Sequence, residues 1–155
     1  STLYNHKKIK ALVTLTHGEG FGLPIFEAAY YGLPVIAPDW SGQCDYLYMN
    51  IKEGKKKRQK AMFTKVDYDI QPIQKELVWD SVLIKDSQWA YARQGSYKMK
   101  LREVYKNYSD CKKEANKLKK HVQNKYKADV LYKEFVSCLE QGAQDFSQAK
   151  EVFVV

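Results

Sequence analysis

The sequence is short of long apolar runs and of cysteine. No stretch of its 155 residues approaches the roughly 18 consecutive apolar residues that a membrane-spanning helix needs. Its opening residues carry no signal-peptide pattern. The three cysteines, Cys44, Cys111 and Cys138, are odd in number and widely spaced, with no CxxC pair. That excludes a disulfide framework and a zinc site and reads as reduced thiols in a cytoplasmic protein. No DNA- or RNA-binding motif is present, and few aromatics are interleaved among the lysines, which argues against a nucleic-acid partner. What remains is the composition of a globular protein, 45% apolar and 14% aromatic, long enough for one domain with a real core.

Glycine is scarce as well, yet unevenly placed. Three of the eight glycines and one of the four prolines fall within His17–Glu27, HGEGFGLPIFE. Before this string, Ala11-Leu12-Val13-Thr14-Leu15 predicts a short apolar strand. After the glycines, Leu23 to Tyr31 predicts a helix, with Pro24 near its first position and Gly32 past its end. Strand, glycine turn and helix place backbone N–H groups at a helix N-terminus, where an anion is held well. Glu19 and Glu27 flank that turn. As carboxylates they do not bind phosphate but are suited to accept hydrogen bonds from hydroxyl groups. Anion-binding amides between two hydroxyl acceptors describe a site for a sugar joined to a phosphate.

Glu19-Gly20-Phe21-Gly22-Leu23-Pro24, followed by Glu27-Ala28 with seven residues between the glutamates, resembles the donor-site motif of retaining GT-B glycosyltransferases. The likeness is to the large family that includes sucrose synthases, bacterial-type glycogen synthases and mannosyltransferases. Gly32-Leu33-Pro34-Val35-Ile36-Ala37 matches that family's next turn and strand, and Ser41-Gly42 falls at its small-residue loop. The resemblance covers residues 11–47.

The resemblance implies that Glu27 holds the ribose hydroxyls of a nucleotide through charge-assisted hydrogen bonds. It implies that Glu19, the candidate catalytic residue, accepts from hydroxyls of the donor sugar near the reacting carbon. The amides of Gly20, Phe21, Gly22 and Leu23 would contact the sugar and the pyrophosphate, and the missing Cβ atoms of Gly20 and Gly22 allow close approach. Preorganised donors there would stabilise charge developing on the departing diphosphate. His17 is a further candidate for touching donor or acceptor. No metal and no cofactor is implied; the substrate is a nucleotide diphosphate sugar, and the acceptor a hydroxyl of a glycan, lipid or protein. Asp39 and Asp45 read as turn and cap residues.

A GT-B enzyme needs two Rossmann-like domains of together about 350 residues. The resemblance therefore implies that this chain supplies the C-terminal part of the donor domain. The Arg and Lys that clamp the pyrophosphate, and the acceptor domain, would come from a missing N-terminal domain or a partner subunit. The alternative function is a non-catalytic nucleotide-sugar or carbohydrate-binding module.

The fold class expected is α/β: part of a Rossmann-like parallel-sheet domain over 1–95, with a helical tail over 96–155. Val35-Ile36-Ala37-Pro38 reads as a buried strand, Asp45–Met49 as a helical turn, Lys52–Arg58 as a charged loop and Met62–Tyr68 as a strand. A hairpin is expected around Trp79-Asp80-Ser81, and a linker over Asp86–Ala90. Ser1–His6 reads as the end of a helix. Trp79 and Trp89 read as packing residues. In the tail, Ser96 is a candidate N-cap for a helix with Tyr97, Leu101, Val104, Tyr105 and Tyr108 on one face. A second helix, Asp110–Tyr126, carries the stripe Ala115, Leu118 and Val122. A third, Ala128–Leu139, is expected to bury Val130, Leu131, Phe135 and Val136. Gln141–Val155 is weakly patterned, with Val152-Phe153-Val154-Val155 as a candidate edge strand.

Residues 1–54 hold four lysines and five acids, a net −1, against whole-chain totals of 26 basic and 18 acidic. The rest therefore carries 22 basic and 13 acidic residues, a net +9. Lys112, Lys113, Lys117, Lys119, Lys120, Lys125 and Lys127 concentrate on one helix. That face is read as solvated, with peripheral contact to an anionic membrane as the alternative.

Overall fold

A computed structural model describes residues 3–54, 56–79 and 81–151. Ser1, Thr2, Lys55, Asp80 and the Val152–Val155 segment lie outside the described residues. The chain forms two compact units, 1–121 and 122–155. The architecture is mixed α/β.

The first unit is built on strand β1 (Leu12–Val13), helix α1 (Leu23–Tyr30) and strand β2 (Val35–Pro38). All four residues of β2 are buried, as befits a central strand with both faces covered. It pairs in parallel with β1, Leu12 opposite Val35, and with a later strand. Helix α1 starts and stops where its proline and Gly32 predict, burying Ile25, Ala28 and Ala29. Residues 3–5 form a turn, not a helix end, closed by the His6 amide on the Leu3 carbonyl.

Helix α2 (Cys44–Leu47) is the expected helical turn. The segment read as a charged loop is instead a β-hairpin, β3 (Tyr48–Glu53) paired antiparallel with β4 (Lys56–Ala61). Tight backbone pairing there overrides a composition that reads as loop. Strand β5 (Thr64–Val66) then completes the parallel sheet, in the order β1-β2-β5. The carboxyl ends of all three strands open on one edge.

Strands β6 (Tyr68–Pro72) and β7 (Gln88–Ala92) pair antiparallel, Tyr68 opposite Ala92 and Pro72 opposite Gln88. The expected linker over Asp86–Ala90 is thus largely strand, because its Trp-Ala-Tyr alternation finds a partner upstream in Tyr68–Pro72 (Trp89 opposite Gln71). At the far end a backbone bridge joins Trp79 and Leu83. Trp79 itself is 66% exposed, contrary to its reading as a packing residue.

Helices α3 (Gln94–Lys106) and α4 (Tyr108–Lys125) follow. Val104 packs on Ile36 and Val66 to form the core over the sheet. Leu101 and Tyr105, expected on the same buried face, are exposed. Ser96 is not the N-cap; Arg93 holds that position. Ser96 lies buried within the helix, and its hydroxyl accepts the Asp67 amide at 3.0 Å. Ala115, Leu118 and Val122 are buried as their spacing requires.

In the second unit, α5 (Ala128–Glu151) runs well past Leu139, so the weakly patterned tail is helix as far as Glu151. Leu131, Phe135, Val136 and Leu139 are exposed, not buried. The described residues of that unit contain only this helix and the end of α4, which leaves little against which the stripe can pack. No described helix is long and apolar enough to cross a membrane.

Candidate functional site

The glycine-rich turn leaves the carboxyl end of β1 and is held by the loop that leaves β2. The Ser41 hydroxyl accepts the Glu19 amide at 2.9 Å and donates to the Glu19 carbonyl at 2.6 Å. The Gly42 amide donates to the same carbonyl at 3.0 Å. Any side chain at Gly42 would meet the Gly20 carbonyl oxygen at 1.9 Å, so only glycine permits this approach. Ser41 itself sits at φ 74°, a left-handed conformation unusual for serine. Its two hydrogen bonds offset that strain, and the backbone on either side of the Glu19 side chain is thereby fixed.

Gly22 is the N-cap of α1, at φ 76°. A Cβ there would meet Ile25 at 3.1 Å and the Tyr46 hydroxyl at 3.2 Å. Its carbonyl accepts the Ile25 and Phe26 amides, each at 2.9 Å, which starts the helix directly behind the turn. No side chain caps this end; Pro24 carries no N–H and the Ile25 and Phe26 amides reach the Gly22 carbonyl, so in the first turn the Leu23 amide is the one without an intrahelical acceptor. Tyr46, fully buried on α2, places its hydroxyl 2.9 Å from both the Phe21 and Gly22 carbonyls. Its ring packs with Phe21 and Phe26 at centroid distances of 5.1 and 5.3 Å. The turn therefore has a rigid floor.

Phe21 and Leu23 are exposed, as is Glu27, whose neighbours Ala28 and Ala29 are buried. Leu23 is the first helical residue and Gly20 precedes the turn without a contact above its Cα. Tyr4 stacks on Tyr31 at 5.9 Å and brings its hydroxyl to the Glu27 carboxylate. Burial first, then that hydrogen bond and the carboxylate charge, raise the Tyr4 pKa.

His17 is fixed from the far side. Its ring stacks on Trp89 at 5.0 Å with an interplanar angle of 6°, and tilts against Tyr91 at 4.5 Å. Nδ1 lies 2.9 Å from the Ala90 carbonyl, and the Ala90 amide donates to the His17 carbonyl at 3.2 Å. A carbonyl only accepts, so Nδ1 carries the hydrogen and Nε2 is the nitrogen left for another partner.

Asp39, expected as a turn residue, is the centre of a second network at the same sheet edge. The Tyr48 hydroxyl reaches its two carboxylate oxygens at 2.7 and 2.8 Å, and the Lys65 ammonium donates at 3.1 Å. Burial alone would raise the Asp39 pKa, but Tyr48, Lys65 and Cys44 together hold it below the ordinary carboxylate value. The Cys44 thiol is pushed up to about 11 by burial and by Asp39, which leaves it unreactive at neutral pH. Asp39, Lys65, Tyr68 and Arg93 line a cavity of about 310 Å³. Arg93 is committed to Asp69 through a two-pronged ion pair. Asp45 lies in the first turn of α2 but is not its cap: Gln43 holds the N-cap position, and no side chain caps the helix.

The structure thus brings His17, Glu19, Gly20, Phe21, Gly22, Leu23 and Glu27 onto one strand–turn–helix segment. Tyr46 and Tyr91 carry no signal in the sequence, and Trp89 reads there as a packing residue. The residues that hold His17 and the turn stand from 22 positions (Ser41 to Glu19) to 74 positions (Tyr91 to His17) away from their partners, so nothing local marks them. Among the described residues no group of three or more His, Cys, Asp and Glu side chains could hold a metal ion. In comparisons with known proteins, no family model, no curated protein and no solved structure matches this chain.

Proposed function

We propose that the chain is the donor-binding portion of a retaining GT-B glycosyltransferase, its parallel sheet being part of a Rossmann-like domain. The reaction transfers a hexose from a nucleotide diphosphate sugar to a hydroxyl of a glycan, lipid or protein. One observation carries the reading: a parallel-sheet edge presents a glycine turn and an uncapped helix N-terminus between Glu19 and Glu27. The amides of Gly20, Phe21, Gly22 and Leu23 take the sugar and the pyrophosphate. Glu27 takes the ribose diol and Glu19 the donor sugar, with His17 Nε2 as a further contact. The phosphate clamp and the acceptor side come from another domain or subunit. Calorimetric titration with uridine, guanosine and adenosine diphosphates and their hexose conjugates tests this. Saturable binding of one of them is the expected result; none with any of them overturns the proposal.

A non-catalytic nucleotide-sugar-binding module is the second reading. The two basic side chains at this edge, Lys65 and Arg93, are already committed to Asp39 and Asp69, so neither stands ready for a leaving phosphate. Hydrolysis or transfer of the bound sugar separates the two, since a module binds without turnover.

A further inference from the structure

The hairpin β3–β4 concentrates charge in a way that the rest of the first unit does not. Residues 52–60, KEGKKKRQK, hold six cations and one acid. The register sets Lys52 directly opposite Lys57, Glu53 opposite Lys56 and Ile51 opposite Arg58. Lys52, Lys56, Lys57 and Arg58 are all exposed. Like charges directly opposite each other in an antiparallel pair are destabilising, so the folded hairpin holds Lys52 and Lys57 together against their repulsion. Lys113 pairs with Asp110, and Lys117 with Glu114, which also takes Lys60 from the base of the hairpin.

From this juxtaposition we propose that the β3–β4 hairpin is an electrostatic docking finger for a membrane surface rich in anionic lipid. The pleat places Lys52 and Lys57 on one face and Lys56 and Arg58 on the other, so cations surround the end of the ribbon. Lipid headgroups diffuse laterally and gather around a convex charge. A nucleic acid presents a fixed ladder of phosphates, which a ribbon with cations on both faces does not match. No aromatic stands among residues 50–60 to stack on bases. Residues 52–60 include no apolar residue that could insert, so binding is by charge alone and weakens with salt.

Flotation with phosphatidylcholine vesicles, with and without phosphatidylserine, tests the proposal. The protein is expected to float with the anionic vesicles only and to be released by salt. The triple variant Lys52→Gln, Lys56→Gln, Lys57→Gln is expected to lose on the order of a hundredfold in partition coefficient. Lys113→Gln with Lys117→Gln is expected to retain most of the binding. Lys57→Glu keeps the test clear of misfolding: it turns the Lys52 pair into an attractive one, so Tm is expected to hold or rise while binding falls. No binding to anionic vesicles, equal binding to neutral ones, or an unchanged triple variant overturns the proposal. So does tighter binding of duplex RNA than of anionic vesicles at the same salt.

Discussion

The two glutamates of the turn differ in what holds them, and their substitution should differ in consequence. Glu27 lies on an exposed helix face with the Tyr4 hydroxyl beside its carboxylate. Glu27→Ala should weaken nucleotide binding by about 1.5–3 kcal/mol, the worth of hydrogen bonds to a charged group, as measured by calorimetry. Glu19 has its backbone clamped at amide and carbonyl by Ser41 and Gly42. Under the proposed transfer reaction, Glu19→Ala should lower kcat more than nucleotide affinity, the signature of a contact made chiefly in the transition state. Equal losses in both would assign it to binding alone. Gly42 was legible only as a small residue after a strand. The reason it must be glycine lies 22 residues upstream, in the Gly20 carbonyl that a Cβ would strike. Gly42→Ala should destabilise the protein by about 1–3 kcal/mol and weaken nucleotide binding as well. Urea denaturation alongside calorimetry checks this; an unchanged protein would show that the two loops are free to part.

At the scale of elements, local sequence signals worked where neighbours along the chain decide the structure. Pro24 and Gly32 bracket α1, and the apolar run Val35–Ala37 becomes the buried centre of the sheet. They failed where a partner strand decides. The lysine-rich segment after Glu53 reads as loop from its charge, yet backbone pairing with Tyr48–Glu53 makes it a strand. Ser96 reads as a cap from its residue type, yet its hydroxyl serves the Asp67 amide from inside the helix. Strand β7 is the most consequential case. It carries Trp89, Ala90 and Tyr91, the three residues that fix the His17 ring. Trp89→Ala should cost about 1–2 kcal/mol, since it removes an aromatic pair together with its buried area. It should also release the ring, visible as altered imidazole nitrogen resonances of His17 in a two-dimensional NMR spectrum. Unaltered resonances would mean that the Ala90 carbonyl holds the ring unaided.

For the molecule as a whole, charge decides how stability follows pH. Asp39 and Glu114 both ionise more readily in the folded protein. Burial opposes this at Asp39 but is outweighed by Tyr48, Lys65 and Cys44; at Glu114 the ammonium groups of Lys117 and Lys60 act first. A carboxyl with a folded pKa below its unfolded value binds fewer protons when folded. Its contribution is therefore complete above the usual carboxylate range, about pH 4, and disappears as pH falls through the folded pKa. Asp39→Asn should be less stable than the native protein at neutral pH, with the gap narrowing steadily below about pH 4. Urea denaturation at several pH values measures the gap; a gap independent of pH would place the loss in shape, not in charge. The helix α5 shows the limit of pattern at this scale. Its apolar stripe is real in the sequence, but burial requires a second surface, and Phe135 remains 63% exposed.

The sequence by itself determined the strand–turn–helix of HGEGFGLPIFE, the placement of Glu19 and Glu27 on it, and the buried strand that follows. All of these rest on torsional preferences and apolar spacing acting over a few residues, which a single chain displays openly. Tertiary structure alone decided that the turn is rigid, through Ser41, Gly42 and Tyr46, and that His17 is fixed by a strand arriving from beyond residue 87. It also decided that Lys52, Lys56, Lys57 and Lys60 stand together on a hairpin. These are contacts between segments distant in sequence, each set by which backbone groups find partners once the sheet has formed, and no local pattern encodes that choice.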